Sequence, residues 1–303
     1  MRDDDLASLE AGLDALEAGP EERRDRGRRL LSAAWPPVVA VALLLGVWEL
    51  AYRAGLKPTY ALPSPADVGL RLVDQLRDGT LLEAMGVSLS RGGLGFLVAL
   101  AIGTPLGLLI ARVRPVRRGI GPLVSGLQSL PSVAWVPAAI IFFGIGNTAI
   151  YAVVLLGAVP SIANGMVSGI DQVPPLYSRV GQVLGARGWD TARFVLLPAA
   201  LPGYVGGLRQ GWAFSWRSLM AAELIVKSPE LGTGLGQLLE EGRFLQDMSL
   251  VFAGILGILV VGIAVELLLF APLERRVLRR RGLLLATRLP PRTPPPPRPR
   301  STA

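Results

Sequence analysis

Apolar residues run along this chain in long unbroken stretches, not in alternation with polar ones, and stretches of that length are membrane crossings, not buried strands. Six helices are predicted, at about 34–54, 88–111, 121–143, 148–168, 201–225 and 249–273. Each is near the roughly 20 residues that cross the hydrocarbon core at about 1.5 Å per residue. The third and fourth are separated only by Gly144-Ile145-Gly146-Asn147, which predicts a tight hairpin. Residues 1–33 are polar and are expected to form a cytoplasmic tail. Within it Leu6, Leu9, Leu13 and Leu16 recur at helical spacing ahead of Gly19-Pro20, the pattern of a short amphipathic helix. Residues 282–303 are Pro- and Arg-rich, bury no apolar area and are expected to be disordered. The expected architecture is therefore an all-α integral membrane protein with a six-span domain at 34–281 between two polar tails.

Composition sharpens this. With 51% hydrophobic residues, 18% charged residues and a mean hydropathy of +0.46 over 303 residues, the chain has more apolar sequence than one soluble core can hold. A net charge of +8 raises the question of nucleic acid, but the arginines cluster at the edges of apolar runs and no aromatic-interleaved basic patch accompanies them. Cysteine and histidine are both absent, which removes disulfides, thiolate metal sites and histidine-based hydrolysis. The start, Met1-Arg2-Asp3-Asp4-Asp5, lacks the basic-then-apolar order of a cleavable signal, so the first apolar helix is expected to be retained.

Orientation follows from the basic residues that flank the runs. Those around 23–29, 112–118, 179–193 and 275–281 number 17, against 7 on the opposite flanks, where Arg53 and Arg91 are counted at the span edges. Both termini are thereby expected to be cytoplasmic.

Between the fourth and fifth runs lies a stretch of about thirty residues, Asp171 to Ala200, long for a connector between adjacent helices. Leu176, Val180, Val183 and Leu184 share one helical face, and Gly185 follows where a left-handed cap is expected. A second helix is predicted from Trp189 to Leu197, with Asp190 near its positive end and Pro198 ending it. Two short helices around a glycine elbow would project an aromatic knob into the cytosol. An interfacial pair lying on the lipid headgroups fits the same spacing.

Gly185, nine residues, then Val195-Leu196-Leu197-Pro198 resembles the signature cytoplasmic loop of binding-protein-dependent ABC importer permeases, the MetI-like fold. That loop reads Glu-Ala-Ala, three residues, Gly, nine residues, Ile-x-Leu-Pro; here Arg179-Val180-Gly181 stands at its start. The resemblance covers roughly 35–281 and extends to Leu62-Pro63-Ser64-Pro65, Ser88-Leu89-Ser90-Arg91, the 131–137 segment Pro-Ser-Val-Ala-Trp-Val-Pro, and Phe143-Gly144-Ile145-Gly146. It continues through Pro198-Ala199-Ala200-Leu201-Pro202, Gly207-Leu208-Arg209, the 216–223 segment from Trp216 to Glu223, and Gly234-Leu235-Gly236. In this order they are similar to the nitrate, sulfonate and taurine branch. The resemblance implies a coupling helix docked on an ATP-hydrolysing subunit, with Arg179, Gly181, Gly185, Ala186, Trp189, Asp190, Phe194, Leu197 and Pro198 in the docking loop. It also implies a homodimer with the path at its interface, two cytoplasmic ATPases that hold the ATP and Mg, an extracytoplasmic solute-binding protein, and no cofactor or catalytic site on this chain.

Charges inside apolar helices cost roughly 3 kcal/mol each at mid-membrane on insertion scales, so Glu49, Arg209, Arg217, Glu223 and Glu266 are expected to face protein, water or an interface. Arg217 and Glu223 are six apart and do not share a helical face. Arg209 and Arg217 suit an anion; a snorkelling Arg209 and an Arg217 that holds a partner helix suit the pattern as well. Glu223 is expected at the membrane boundary, and Glu266 as a structural group. Gln128, Ser132, Asn164 and Arg217 are candidates for the translocation path, although helix-to-helix hydrogen bonding explains uncharged polar residues equally. Gly103 and Gly107 are spaced for close helix packing. The favoured function is an ATP-driven importer permease for a small oxyanion such as a sulfonate, taurine or nitrate. A permease for a thiamine-precursor-like heterocycle, or an ion-coupled secondary transporter, is the alternative.

Overall fold

The computed structural model describes residues 22–58, 60–227 and 232–281, all helix, turn or loop. The amphipathic segment expected from Leu6 to Leu16 and the Pro/Arg-rich tail from 282 lie outside the described residues. The chain divides into two compact units at Asp67.

In the first unit α1 (Glu22–Arg53) begins ahead of the expected boundary at 34. Glu49 is paired one turn along with Arg53 at 2.6 Å, and Trp48 Nε1 donates to the Pro63 carbonyl at 3.0 Å. Ser64 and Asp67 cap the start of α2 (Pro65–Arg77) reciprocally: Asp67 N–H donates to Ser64 Oγ at 3.0 Å and Ser64 N–H to Asp67 Oδ2 at 3.2 Å.

The second unit is organised around α6 (Asn147–Asp171), which packs on α3 (Thr80–Arg112) and on α8 (Leu197–Ile225). Small residues allow it. A Cβ on Gly107 would lie 2.6 Å from the Ala163 carbonyl oxygen, and one on Gly165 only 2.4 Å from the Gly207 Cα, so the two backbones touch in each pair. Aromatic rings fill the seam beside them: Trp212 stacks on Trp216 at 5.9 Å, and Phe96 meets Trp212 edge-on at 5.5 Å.

Three described helical stretches are long and apolar enough to cross a membrane: Thr80–Arg112, Asn147–Asp171 and Met248–Arg280. The last comprises α10 (Met248–Val265), a π turn at Glu266–Phe270 and α11 (Ala271–Arg280). A fourth is a bent pair. The expected continuous helix at 121–143 is instead α4 (Arg114–Ser129), then a 3-10 turn at Ser132–Trp135 running into α5 (Val136–Phe143), with a bend of 101°. The cause is Pro131, which holds the preceding Leu130 in extended backbone at ψ 135°. α8 is 29 residues long but carries Arg209, Gln210, Arg217 and Glu223, and falls outside the three.

Pro198 also acts differently from expectation. It does not end a helix: Trp189 and Asp190 are already helical and continue through a π turn at Thr191–Leu196 into α8. The Leu197 N–H reaches back five residues to the Ala192 carbonyl, and the widened turn accommodates a proline that lacks an N–H of its own.

Candidate functional site

Two regions hold the side chains that the sequence singled out. The first is the elbow between α6 and α8. α7 (Pro175–Val183) ends at Leu184, and Gly185 takes φ +91°, the left-handed conformation its position calls for. The Ala186 N–H closes the turn on the Gly181 carbonyl at 2.9 Å, Thr191 Oγ1 donates to the Ala186 carbonyl at 3.1 Å, and Arg112, at the end of α3, donates to the Gly188 carbonyl at 2.6 Å. Gly181 is buried against Val195, so close that a Cβ there would lie 2.9 Å from the Val195 side chain. Two helices are thus locked together, while their apolar tips face away from the protein: Val183 is 88% exposed, Leu184 80%, Trp189 61% and Phe194 65%. Arg179, Asp190 and Pro198 are exposed beside them, and Ala186 and Leu197 are half-buried. An exposed apolar patch rimmed by charge is the kind of surface that marks interaction sites in other proteins. At the base of the elbow Arg117 grips Asp171 with two bonds of 2.9 and 2.6 Å.

The second region is the polar lining of the helices. Asn164 Nδ2 donates to Gln128 Oε1 at 2.7 Å, which ties α6 to α4, and Ser218 Oγ donates to Ser132 Oγ at 2.7 Å against the bare backbone of Gly157. The structure thus joins Gln128 with Asn164 and Ser132 with Ser218, and leaves Arg217 apart from both. Arg217 is exposed, donates Nε to the Ala213 carbonyl of its own helix at 3.1 Å and lies 4.9 Å over the Phe214 ring. It lines a cleft of about 410 Å³ with Gln210, Trp216 and Arg209. Arg209 differs: its guanidinium is 2.6 Å from Glu266 and 3.6 Å from Glu274. Glu266 is therefore a structural partner, as its isolation in the last apolar run suggested, and Arg209 is a bridge between helices.

Sequence reasoning missed the pairing of the most buried charges among the described residues. Glu223, expected at a boundary, is fully buried, and Arg91, counted at a span edge, is 4% exposed. Arg91 Nη1 donates to Glu223 Oε1 at 2.9 Å, Arg91 Nε donates to Asn147 Oδ1 at 3.1 Å, and Ser88 Oγ donates to Glu223 Oε2 at 2.6 Å. The same carboxylate receives the Gly236 N–H at 3.2 Å, in the first turn of α9 (Leu235–Phe244), where a helix start favours negative charge. The signal lay in the residues around it: a Cβ on Gly234 or Gly236 would collide with the Glu223 side chain.

No cluster of three or more metal-ligating residues occurs among the described residues.

Comparisons with known proteins agree on one family. Residues 103–279 match the family described as binding-protein-dependent transport system inner membrane component. The taurine transport system permease protein of Escherichia coli is 32% identical over 262 residues, covering 82% of this chain and 93% of that protein. The riboflavin transport system permease protein of Chloroflexus aurantiacus is 31% identical, over 84% of this chain and 94% of its own. Among solved structures, one titled inward facing conformations of the MetNI methionine ABC transporter superposes with a TM-score of 0.52 at 21% identity, covering 65% of this chain and 95% of that one.

Proposed function

From the premise that this chain belongs to the binding-protein-dependent transport system inner membrane component family, we propose that it is the path-forming subunit of an importer for a small oxyanion such as taurine, another aliphatic sulfonate or nitrate. Members of the family are multi-pass inner-membrane permeases of ABC importers, not enzymes, and work with ATPase and substrate-binding partners. In the proposed assembly two copies of this chain enclose the path, each crosses the membrane six times with both termini inside, and two cytoplasmic ATPases bind the ATP and Mg. A solute-binding protein delivers the substrate from the other face.

The observation that carries this reading is the elbow. Val183, Leu184, Trp189 and Phe194 leave four large apolar side chains exposed on a rigid, hydrogen-bonded projection, a shape suited to a groove in another protein. A nucleotide cycle that closes the two ATPases would push this projection, and because the elbow is continuous with α8 through the π turn, the motion would reach the path as a rigid-body shift. The chain then transmits force and makes no covalent bond.

Pull-down with the ATPase tests it. Gly185→Trp, which places a side chain at a left-handed residue in the docking patch, and Leu197→Asp are expected to abolish association while membrane insertion stays intact. Normal association by both would discredit the docking role. The taurine relative supports a sulfonate; the riboflavin relative supports a second reading, in which a heterocycle is carried. Calorimetry of the solute-binding partner against taurine, alkane sulfonates, nitrate, pyrimidines and flavins separates the two.

A further inference from the structure

The last described helix carries a dense block of positive charge that nothing among the described residues neutralises. α11 continues from the apolar α10 through the Glu266–Phe270 turn, so its basic residues begin where the apolar run stops. Its one acidic residue, Glu274, is turned to Arg209 on α8, as is Glu266 about two turns earlier in the helical run. Arg275, Arg276, Arg279 and Arg280 are exposed on the other side and have no hydrogen-bond or ion-pair partner among the described residues. These four line a cleft of about 680 Å³ whose apolar part is Leu269, Pro272 and Leu273. Beside it Leu267 and Leu268 are 61% and 79% exposed.

An apolar wall therefore meets four guanidinium groups along one face of the helix, and a ligand that satisfies both has hydrocarbon joined directly to an anion. We infer that this cleft binds an anionic phospholipid, with the headgroup phosphate held by the arginines and the acyl chains lying along the leucines. Guanidinium forks match phosphate oxygens two at a time, and clusters of four or more basic residues just beyond a membrane helix are where anionic lipid gathers. A zwitterionic headgroup brings its own cation and neutralises less of the charge. Free phosphate satisfies the arginines and leaves the leucines bare. The inference rests on the proposed inward placement of α11, which has a test of its own below.

Native mass spectrometry of the full chain in mild detergent, titrated with dioleoyl phosphatidylglycerol or the matching phosphatidylcholine, reads the binding. The anionic lipid is expected to form adducts at roughly tenfold lower concentration, a preference lost in Arg276→Gln/Arg280→Gln, kept in Arg276→Lys/Arg280→Lys and kept in the control Arg114→Gln/Arg118→Gln. Equal binding of the two lipids, an unchanged preference in the double Gln variant, or displacement by millimolar inorganic phosphate overturns the proposal. So does loss of the adducts when the ATPase subunit binds, which would make this face a protein interface. Should the double Gln variant fail to fold, a photoactivatable phosphatidylglycerol on the wild-type protein decides: label on residues 267–280 supports the site, and label confined elsewhere overturns it. Placement is read separately. The chain has no cysteine, so Arg276→Cys gives a single thiol, expected to be closed to an impermeant maleimide in sealed right-side-out vesicles; labelling there would overturn the topology and leave the lipid adducts to stand or fall on their own result.

Discussion

Arg91 on α3 and Glu223 on α8 stand 132 residues apart in the chain and meet at 2.9 Å with side chains 5% and 0% exposed. Asn147 and Ser88 satisfy further valences of the pair, and the start of α9 closes on the carboxylate. The pair fastens three helices and the segment after α8 at one point. Removing one partner strands a buried charge at a cost of about 3–5 kcal/mol, whereas removing both costs far less than the sum. Glu223→Gln and Arg91→Gln are each expected to lower the temperature at which the detergent-solubilised protein leaves the monodisperse peak in size-exclusion chromatography. The double variant should sit close to the milder single one. Strictly additive losses would mean the two groups do not act as a pair.

Gly165 and Gly207 make a second, sharper contact. A Cβ on either lies 2.4 Å from the other's Cα, whereas Gly206, one residue away, has open space around it. Gly207→Ala forces α6 from α8 and is expected to cost about 1–3 kcal/mol. Gly206→Ala gains helix propensity and should be neutral or stabilising. The same thermal assay compares them, and equal behaviour of the two alanines would contradict the packing.

What the sequence made legible was what local spacing encodes. Gly185 stands where a left-handed cap ends an amphipathic turn, and the exposed Trp189 follows from the same periodicity. The breaks were harder. Pro131 sits inside an apolar run whose hydropathy reads as one helix, and only the backbone restriction on Leu130 reveals the bend. Pro198 looked like a stop because a proline interrupts an α-helix; the π turn before it restores the path, and no residue pattern announces a π turn. The Arg91 and Glu223 pair is non-local, so no helical spacing exposes it. Its trace was indirect, in small residues at Gly234 and Gly236 with no turn to explain them.

Acid pH should weaken α9 in a defined way. The guanidinium of Arg243, bonded to Glu240 at 2.6 Å, holds the Glu240 carboxyl below its usual value, with Lys227 adding to the effect. A carboxylate whose folded-state pKa is depressed contributes stability above its unfolded value, about 4.3, and loses it as pH falls through the folded value. Between pH 6 and pH 3 the wild-type protein is therefore expected to lose more thermal stability than Glu240→Gln, which has no proton to take up at that position. Parallel pH curves for the two proteins would show that the pair contributes nothing.

Arg217 and Arg209 occupy the same cleft and predict opposite phenotypes. Arg209 is spent on Glu266 and Glu274, so its positive charge is already met, and Arg209→Gln should leave two carboxylates facing one another and disturb the packing of α8 on the last helix. Among the described residues Arg217 is met only by a backbone carbonyl and the face of Phe214, and a cation so placed retains most of its field for a passing anion. If the cleft is part of the path and the substrate is an oxyanion, Arg217→Gln should raise the KM for uptake by roughly fivefold to tenfold, the size of one exposed charge contact at about 1 kcal/mol. Arg217→Lys should restore most of it, and Arg217→Glu should stop uptake. ATPase association and thermal stability should not change in any of the three, which separates a path role from a structural one. Uptake by proteoliposomes carrying the complete transporter, measured with labelled taurine, supplies the numbers. A KM indifferent to the sign of residue 217 would remove this face of α8 from the path and with it the argument for an anionic cargo.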